Sequence, residues 1–389
     1  MSKPQQDKRT IYHYVSPRHP NKIQGCLYHM RPQTSSQTSF VCIQKSTYNT
    51  INIQALLEPF GGMKHFIKKG ERVLLKTNLL NPSDPAKAVV THPKVIHALA
   101  KTILNLGGVP YIGDSPSGQF TKGRLNKTYT KSGLTAVAKD LGIDLNFDTG
   151  VTTIDIPNGR KLKKTPVCNY VLNADKIIAI PKIKTHSYMI LTLATKIMYG
   201  IIPGLTKAKY HSLYIRRTAF ADMLLDVLSI KKPDLIVMDG ITCMEGDGPS
   251  GGTPVQLGIL LAAENAVTMD LAVCEILGIE PIRIPTLRRA KFRNLWPSEI
   301  YYPLLKPQDI HYNGFRLPSS ANTLVSGTKN HHQHPIPTEK CTACGQCVEI
   351  CPKHAIQIKD QCASVDYTKC IACYCCHEIC PFQAIQLGQ

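Results

Sequence analysis

Short apolar runs alternate with segments of helical spacing along most of this chain. The runs of strand length are "RVLLKTNLL" (72–80), "VPYIGDS" (109–115), "DKIIAIPK" (175–182), "DLIVMDG" (234–240) and "VQLGILLAA" (255–263). The segments of helical spacing are "THPKVIHALAKTILNLGG" (91–108), with a Thr cap, "YMILTLATKIMYG" (188–200), "TAFADMLLDVLSIKK" (218–232) and "AVTMDLAVCEILG" (266–278). This alternation predicts an α/β fold with a largely parallel sheet flanked by helices.

A repeat of cysteines follows the alternating region. "CTACGQCVEICP" (341–352) and "CIACYCCHEICP" (370–381) both have the spacing C-x2-C-x2-C-x3-C-P, and matched segments, "KHAIQI" and "FQAIQL", follow them. In bacterial two-cluster ferredoxins, three cysteines of one run and the fourth of the other hold each [4Fe-4S] cluster. The predicted ligand sets are therefore Cys341, Cys344, Cys347 and Cys380 for the first cluster, and Cys370, Cys373, Cys376 and Cys351 for the second.

Zinc and disulfides are the alternatives for these cysteines. Structural zinc favours separated C-x2-C pairs or Cys/His mixtures, which two C-x2-C-x2-C-x3-C-P runs fit poorly. Disulfides require an oxidising compartment, and "MSKPQQDKRTIYHY" has no apolar core of an export signal. We therefore predict a cytoplasmic protein with two [4Fe-4S] clusters. Cys375 and Cys362 fall outside the ligand spacing and are interpreted as packing residues.

The patterns divide the chain into four predicted regions. Residues 1–37 form an irregular basic arm, 38–326 an α/β body, 327–335 a Gly/His/Pro linker, and 336–389 a small α+β ferredoxin-like domain. No apolar run reaches the ~18 to 20 residues that cross a bilayer, so no membrane span is predicted.

The positive charge of the chain is concentrated in its body. The formal net charge is +19, of which the body and linker together, residues 38–335, carry +15, while residues 336–389 carry −1. A basic body attracts an acidic carrier protein or a small anionic substrate. Nucleic acid is a weaker candidate, because no helix-turn-helix, zinc-finger or RNP signature occurs.

Polar residues follow four of the predicted strands, in "LKTNLLNP", "GDSPSG", "PKIKTH" and "MDGITCMEGDGPSGGTP". Because open α/β sheets bind ligands at the carboxyl ends of their strands, we expect these residues to share one pocket that opens towards the cysteines. The predicted catalytic residues are Lys184, His186, Lys196, His211, Asp239 and Glu245. The predicted cofactor-binding residues are Lys76, Asn78, Asp114, Ser115, Gly246 and Gly248. Surface lysines, structural histidines and ordinary turns are the alternative interpretation of each residue taken alone.

The chemistry of these residues suits a small anion. Lysines supply charge, glycine N–H groups converge on an oxyanion, and a lysine crowded by other cations has a lowered pKa that suits proton transfer. No G-x-G-x-x-G and no G-x4-G-K-[ST] occurs, so a nucleotide has no dedicated motif. A flavin or another organic redox relay stays open as a further cofactor.

Several of these segments, in this order, resemble one known family. "ERVLLKTNLL", "VVTHPKVIHALA", "GDSPSG", "PKIKTH", "YGIIPG", "FADMLLDV" and "MDGITCMEGDGPSGGTP", followed by "CIACYCCHEICPFQAIQL", are similar to the domain-of-unknown-function 362 family, in members that end in a two-cluster ferredoxin. The resemblance spans about residues 38–389. It implies a cytoplasmic iron–sulfur protein of prokaryotic type, and it carries over only the eight cluster cysteines as site residues.

Three functional hypotheses follow from the sequence. The favoured one is a ferredoxin-coupled oxidoreductase that acts on a small anionic substrate or cofactor and exchanges electrons with a donor or acceptor protein. The second is an electron-transfer subunit without chemistry of its own, whose basic body docks a partner enzyme. The third is a redox sensor that binds nucleic acid.

Overall fold

A sheet of ten strands forms the centre of the body. The structure is a computed structural model that describes residues 39–324 and 333–388. The predicted arm, residues 1–37, and most of the predicted linker lie outside the described residues.

The elements of the described residues are numbered in chain order. The strands are β1 (Ser39–Lys45), β2 (Arg72–Lys76), β3 (Val109–Gly113), β4 (Asp144–Leu145), β5 (Val151–Asp155), β6 (Lys164–Cys168), β7 (Lys176–Ala179), β8 (Lys182–His186), β9 (Ile190–Thr192), β10 (Leu235–Glu245), β11 (Thr253–Ala263), β12 (Ile300–Tyr301), β13 (His334–Pro337), β14 (Ile356–Lys359), β15 (Cys362–Val365) and β16 (Ile385–Gly388). The α-helices are α1 (Ile53–Leu57), α2 (Pro93–Asn105), α3 (Lys122–Lys131), α4 (Leu134–Leu141), α5 (Asn169–Leu172), α6 (Ala194–Ile197), α7 (Gly204–Leu213), α8 (Arg217–Ile230), α9 (Ala266–Ile276), α10 (Pro285–Phe292), α11 (Gln346–Ile350) and α12 (Cys375–Ile379). The 3₁₀ segments are Glu58–Phe60, Met63–His65, Pro85–Lys87, Met198–Ile201, Pro281–Arg283, Pro307–Ile310 and Ser319–Leu324.

The central sheet has the strand order β12-β1-β11-β10-β7-β2-β3-β4. Its middle strands pair in parallel, β10 with β7, β7 with β2 and β2 with β3, whereas β11 is antiparallel to both β10 and β1. β8 also pairs with β10, farther along that strand than β7, and forms a hairpin with β9. The predicted α/β fold with a largely parallel sheet is confirmed.

The sheet is buried on both faces. In β2, Val73 and Leu75 pack with the apolar residues of α2, while Leu74 packs on the opposite face with those of α8 and α9. Successive side chains of a strand point to opposite faces, so a strand covered on both sides must be continuously apolar. This requirement explains why the body strands are runs rather than alternating patterns.

Two details of the body differ from the sequence prediction. The segment 188–200, predicted as one helix, begins with β9, and α6 and a 3₁₀ turn follow, because residues 190–192 pair with β8. The cap of α2 is His92 rather than Thr91, since the Thr91 hydroxyl instead donates to the Ile180 carbonyl oxygen at 2.7 Å.

The cysteine-rich tail forms a small strand and helix unit. β13 pairs with β16 and β14 with β15, both antiparallel, and α11 and α12 lie within the two cysteine runs. β13 begins at His334, two residues before the predicted start of this domain. Within the described part of the chain, no helix has the length and apolarity needed to span a membrane.

Candidate functional site

A cavity of about 720 Å³, including its mouth, lies where the body meets the tail. Seven of the predicted body residues line it: Lys76, Asn78, Asp114, Ser115, Lys184, Lys196 and His211. They come from the carboxyl ends of β2 and β3, from β8, and from helices α6 and α7. The tail contributes Ile350, Cys375 and Glu378. The structure thus brings most of the predicted residues together beside the cysteine-rich domain.

A buried ion pair fixes one wall of the cavity. Lys76 Nζ lies 2.7 Å from Asp114 Oδ1, and both side chains are buried. Asp114 also accepts hydrogen bonds from the backbone N–H groups of Ser115 and Leu79, each at 2.7 Å. A buried charge is tolerated when it is paired and hydrogen-bonded, so this pair holds the ends of β2 and β3 together.

Two other lysines of the cavity have no carboxylate bonded to them. Lys184 is buried, and its Nζ donates to the Val89 carbonyl oxygen at 2.8 Å. Burial, aided by repulsion from Lys196, lowers the pKa of Lys184 to about 7. Lys196 Nζ makes no hydrogen bond or ion pair with the residues that the structure describes, and burial lowers its pKa. A bound anion would stabilise the charged form of these two lysines strongly, because neither is already paired with a carboxylate.

Lys207 is a third cation of the cavity, and the sequence analysis missed it. Its Nζ donates to the carbonyl oxygens of Ser115 and Ile202, at 2.8 and 2.9 Å, and to Ser115 Oγ at 3.1 Å. Burial lowers the pKa of Lys207 to about 8. Lys207 lies one helical turn before His211 in α7, so the i,i+4 spacing from a predicted site residue was the signal that could have found it.

Three polar atoms of the lining are buried without a hydrogen-bond partner among the described residues. They are His211 Nδ1, Thr192 Oγ1 and Glu378 Oε1, on residues that are 4%, 5% and 7% exposed. Burial, aided by Lys196, lowers the pKa of His211 to about 3, so its imidazole is neutral at physiological pH. A buried polar atom without a partner is costly, and a ligand in the cavity would satisfy it.

Glu378 of the tail reaches His186 of the body. Glu378 Oε1 lies 3.2 Å from His186 Nε2, and both residues are buried. His186 Nδ1 accepts the Tyr188 backbone N–H at 3.1 Å, so the proton of the neutral ring is on Nε2, facing Glu378. Burial raises the pKa of Glu378. His186 therefore adjoins the cavity through a carboxylate that the sequence analysis had not selected.

Asp239 lies outside this cavity, contrary to its predicted role. Its carboxylate pairs with Lys182 Nζ at 2.7 Å, accepts the His92 backbone N–H at 3.0 Å, and lies 3.1 Å from the Tyr48 hydroxyl. Asp239 and Lys182 are directly opposite each other in the β10–β8 register, so the pairing of the strands joins them. The ion pair is completely buried and binds the strands to each other.

Glu245, Gly246 and Gly248 also lie outside the lining, and their polar groups already have partners. Glu245 Oε1 is 2.6 Å from Arg316 Nε. The Gly246 N–H donates to the Arg316 carbonyl oxygen, and the Gly248 N–H donates to the Gly246 carbonyl oxygen, both at 2.8 Å. The predicted convergence of these N–H groups on an oxyanion is therefore wrong.

The cysteines of the tail surround two smaller cavities. One is lined by Cys341, Cys344, Cys347 and Cys380, and the other by Cys351, Cys370, Cys373 and Cys376. Each cavity has a volume of about 330 Å³, including its mouth. The fourth cysteine of each run thus lies with the first three of the other run, which is the grouping that the spacing predicted.

The second cysteine cavity adjoins the cavity of the body. Cys375 lines both of them and packs with Ala208 of α7 and with Ile350 and Ile379 of the tail. Tyr374 is buried in the apolar core of the body. Polar contacts continue this interface: Ser250 Oγ donates to the His377 carbonyl oxygen at 3.3 Å, and the Ser250 carbonyl oxygen accepts Gln383 Nε2 at 2.8 Å. The tail is packed against the body at the second cavity.

Sequence comparison assigns the body and the tail of the chain each to a protein family. Residues 73–275, just over half of the chain, match the family described as "Domain of unknown function (DUF362)". The chain belongs to the DUF362 family. Residues 334–357 and 363–386 each match the "4Fe-4S binding domain". This DUF362 protein is therefore an iron–sulfur protein, and the predicted family resemblance is confirmed.

A curated relative and two solved structures are similar to this DUF362 protein. The relative is "Thylakoid-associated protein sll1697" of Synechocystis sp., 33% identical over 273 residues, covering 69% of this chain and 82% of the relative. The lactate racemase apoprotein from Thermoanaerobacterium thermosaccharolyticum has a TM-score of 0.40 and 14% identity, covering 62% of this chain and 57% of that chain. A Thermotoga maritima protein has a TM-score of 0.32 and 13% identity, covering 51% of each chain. This chain thus spans little more than half the length of either solved protein.

Proposed function

We propose that this protein is an iron–sulfur oxidoreductase in which two [4Fe-4S] clusters exchange electrons with a small anion held in the cavity between body and tail. The observation that carries the proposal is the position of Cys375, whose side chain lines both that cavity and the second cysteine cavity. A binding site and an electron-transfer centre that share a wall are suited to redox chemistry on the bound molecule.

The cysteines around each small cavity fit a cluster. Four thiolates per cavity are the ligand set of a [4Fe-4S] cluster. Backbone N–H groups already donate to three of the sulfur atoms: Ala355 N to Cys351 Sγ at 3.2 Å, Ala363 N to Cys341 Sγ at 3.3 Å, and Ala384 N to Cys380 Sγ at 3.2 Å. Such hydrogen bonds stabilise anionic sulfur. When bound, the clusters would supply or accept electrons one at a time.

The cavity between body and tail has the chemistry of an anion site. Lys184, Lys196 and Lys207 bring cations to it, and none of the three makes an ion pair with the described residues. His211 Nδ1 and Thr192 Oγ1 are free to hydrogen-bond a ligand. A carboxylate or phosphate would relieve the repulsion between the lysines and satisfy these atoms. A flavin or another organic relay stays an alternative occupant, because its phosphate would meet the same lysines.

The proposed reaction adds hydrogen to an unsaturated bond of the anion. A C=O or C=C π bond breaks, two bonds to hydrogen form, and two electrons and two protons are consumed. The electrons come from two molecules of a one-electron donor protein, which leave oxidised. With its pKa near 7, Lys184 Nζ both attracts the anion and holds a transferable proton at neutral pH.

The donor protein would contact the tail near the first cysteine cavity. That cavity shares no lining residue with the cavity of the body, and its Cys344 is exposed. We also propose a cytoplasmic location, which is supported by the fact that none of the fourteen described cysteines forms a disulfide, since disulfides are rare in reducing compartments.

The first experiment measures anion binding. Oxalate, a small anion without a readily reducible bond, is titrated calorimetrically into the anaerobic protein at pH 6.5. We expect Lys184→Met to weaken binding by about 10- to 100-fold, the effect of losing a charged hydrogen bond. Lys131→Met, at an exposed position of α3, is the matched control and should bind normally. Absence of oxalate binding in the unmodified protein would exclude the anion site.

The second experiment tests the redox step. The dithionite-reduced protein is mixed anaerobically with pyruvate, 2-oxoglutarate or fumarate, and the return of the charge-transfer absorbance is followed. At least one of them should reoxidise the unmodified protein faster than Lys184→Met. Oxalate binding without any reoxidation would contradict the oxidoreductase and favour the electron-transfer subunit that docks a partner enzyme.

A further inference from the structure

The hydroxyl group of Ser115 has an unusual set of neighbours. Ser115 comes two residues after the end of β3, lines the body cavity and is 2% exposed. Its Oγ accepts two hydrogen bonds, from the Gly204 backbone N–H at 3.0 Å and from Lys207 Nζ at 3.1 Å. A serine hydroxyl can accept two hydrogen bonds and donate one. Both acceptor positions of Ser115 are therefore occupied, and its O–H group is left to donate.

The Ser115 O–H has no acceptor among the oxygen and nitrogen atoms of the described residues. The Cys168 thiol adjoins Ser115, but the sulfur of a thiol accepts only weak hydrogen bonds. Because Ser115 borders the cavity, an oxygen atom of a bound molecule would be a stronger acceptor for this O–H group.

Lys207 fixes the orientation of the Ser115 hydroxyl. Its Nζ also donates to the carbonyl oxygens of Ser115 and Ile202, at 2.8 and 2.9 Å, so the three N–H groups of the ammonium meet three acceptors. None of them remains for a ligand, and Lys207 therefore acts on a bound molecule through Ser115. Donation from a charged group also makes the Ser115 O–H a stronger donor, because hydrogen bonds in a chain polarise one another.

We propose that Ser115 determines the substrate class by donating its O–H to a carbonyl oxygen, which makes the substrate a 2-oxo acid rather than an acid with a C=C bond. The inference rests on the anion site and the reduction proposed above. Lys184 and Lys196 attract the carboxylate, and Ser115 holds the oxygen of the adjacent C=O. A C=CH2 group in the same place would leave the buried O–H without an oxygen acceptor, which is unfavourable.

The same contact provides a proton for the substrate oxygen. During the reduction the π bond of the C=O breaks, its oxygen takes the proton of Ser115, and its carbon takes the second proton from Lys184. Lys207 Nζ, 3.1 Å from Ser115 Oγ, returns a proton to Ser115, and solvent protonates both lysines again. The two electrons are those of the donor protein. Ser115 is therefore a proposed catalytic residue, and Lys207 positions it and replaces its proton.

Pyruvate and methacrylate are matched probes of this contact. They have the same charge and nearly the same shape, but pyruvate has a C=O where methacrylate has a C=CH2. Each is titrated calorimetrically into the oxidised, anaerobic full chain at pH 6.5. We expect pyruvate to bind about three- to tenfold more tightly, the effect of one hydrogen bond. Ser115→Ala should remove this preference by weakening pyruvate alone, whereas Lys184→Met should weaken both probes.

Three further variants separate a specific role from a structural one. Ser115→Thr keeps a hydroxyl group and should keep the preference. Ser212→Ala is the matched control, because Ser212 Oγ donates to the Lys209 carbonyl oxygen at 2.8 Å and does not line the cavity. Lys207→Met should lose the preference, and the double variant with Ser115→Ala should lose no more, because the two side chains act as a unit. Loss of structure alone would weaken both probes equally, and thermal unfolding checks each variant.

Reoxidation of the dithionite-reduced protein tests the proton step. Saturating pyruvate should restore the charge-transfer absorbance about 100-fold more slowly in Ser115→Ala than in the unmodified protein, the effect of losing a positioned proton donor. Ser115→Thr should lie near the unmodified protein. Methacrylate and fumarate, which have no 2-oxo group, should not reoxidise the protein.

Other outcomes would overturn the inference. Equal binding of the two probes, or an unchanged preference in Ser115→Ala, would remove the role of Ser115 and leave the anion site intact. Reoxidation by fumarate or methacrylate as fast as by pyruvate would overturn the substrate class and still support an oxidoreductase. An unmodified protein that binds neither probe nor oxalate would exclude the anion site, and this inference with it.

Discussion

The two cysteine cavities have the same ligands and different surroundings. Each is lined by four predicted ligands, with Cys375 in addition at the second, and has a volume of about 330 Å³ including its mouth. Both linings belong to the tail, but Cys344 of the first is exposed, whereas at the second Cys375 also lines the body cavity and Tyr374 is buried in the body core. A duplicated sequence has thus produced one site with an exposed cysteine and one site that adjoins the proposed substrate.

A single position of the repeat accounts for much of this difference. Both short helices begin after a residue with left-handed backbone, Gly345 with φ 73° before α11 and Tyr374 with φ 64° before α12. Glycine adopts this conformation freely, while tyrosine pays of order 1 kcal/mol for it. The Tyr374 ring lies 6.4 Å from that of Tyr188, inside the body core, and its burial offsets this cost. Packing against the body core therefore favours tyrosine at this position, where the first run has glycine.

The largest expected effect separates the two ligand sets. Cys380→Ala should reduce the iron content from about eight to about four atoms per chain and remove the signal of the first cluster. Cys351→Ala should do the reverse and remove the second. Iron analysis and EPR of both variants check the assignment. A variant that loses the cluster of its own run instead would break the crossed grouping on which the comparison rests.

A smaller effect should connect anion binding with the second cluster only. Oxalate in the body cavity should perturb the EPR signal of the second cluster and leave that of the first unchanged. Because the pKa of Lys184 is lowered to about 7, its charge is present below that pH and is lost above it, so oxalate affinity should fall about tenfold between pH 6 and 8. Calorimetry over this range checks the sign. Lys184→Met should lack this inflection, and an affinity that rises with pH would contradict the role of Lys184.

The smallest expected effect concerns the rate of oxidative damage. Cys344 of the first cavity is exposed, whereas the described cysteines that line the second are buried or only partly exposed. Ferricyanide should therefore destroy the first cluster several-fold faster than the second. Freeze-quenched EPR of the two signals measures both rates in one sample. Equal rates would show that solvent access does not distinguish the two sites.

The sequence was sufficient where the chemistry is local. Cluster ligands follow a fixed spacing, and strands buried on both faces are continuous apolar runs. The ligands and the strands could therefore both be predicted from the sequence. Lys76 and Asp114 were found because strand ends share an edge. The same rule failed for Asp239, because the position of a strand end does not specify which partner a carboxylate takes. Lys182 lies directly opposite Asp239 in the neighbouring strand and pairs with it.

Residues that reach the site through long-range packing were beyond sequence reasoning. Glu378 lies 192 positions after His186 and belongs to the tail, so no spacing connects the two. Gly246 and Gly248 looked free to bind an oxyanion, but their N–H groups bond to backbone oxygens of their own loop and of Arg316. A sequence pattern shows which polar groups could bind a ligand. Only the packing of the fold determines which of them already have a hydrogen-bond partner.

The wall formed by Ile350, Cys375 and Glu378 is the last part of the body cavity to be synthesised. The body strands and the lysines of the cavity leave the ribosome before any residue of this wall, and domains generally fold as they emerge. A chain interrupted before residue 350 would therefore carry a folded body whose lysine-lined cavity stands open on the side of the missing tail. Translation through the second cysteine run completes the cavity wall and the second ligand set almost together, so an unfinished chain has neither a closed binding site nor an electron supply beside it.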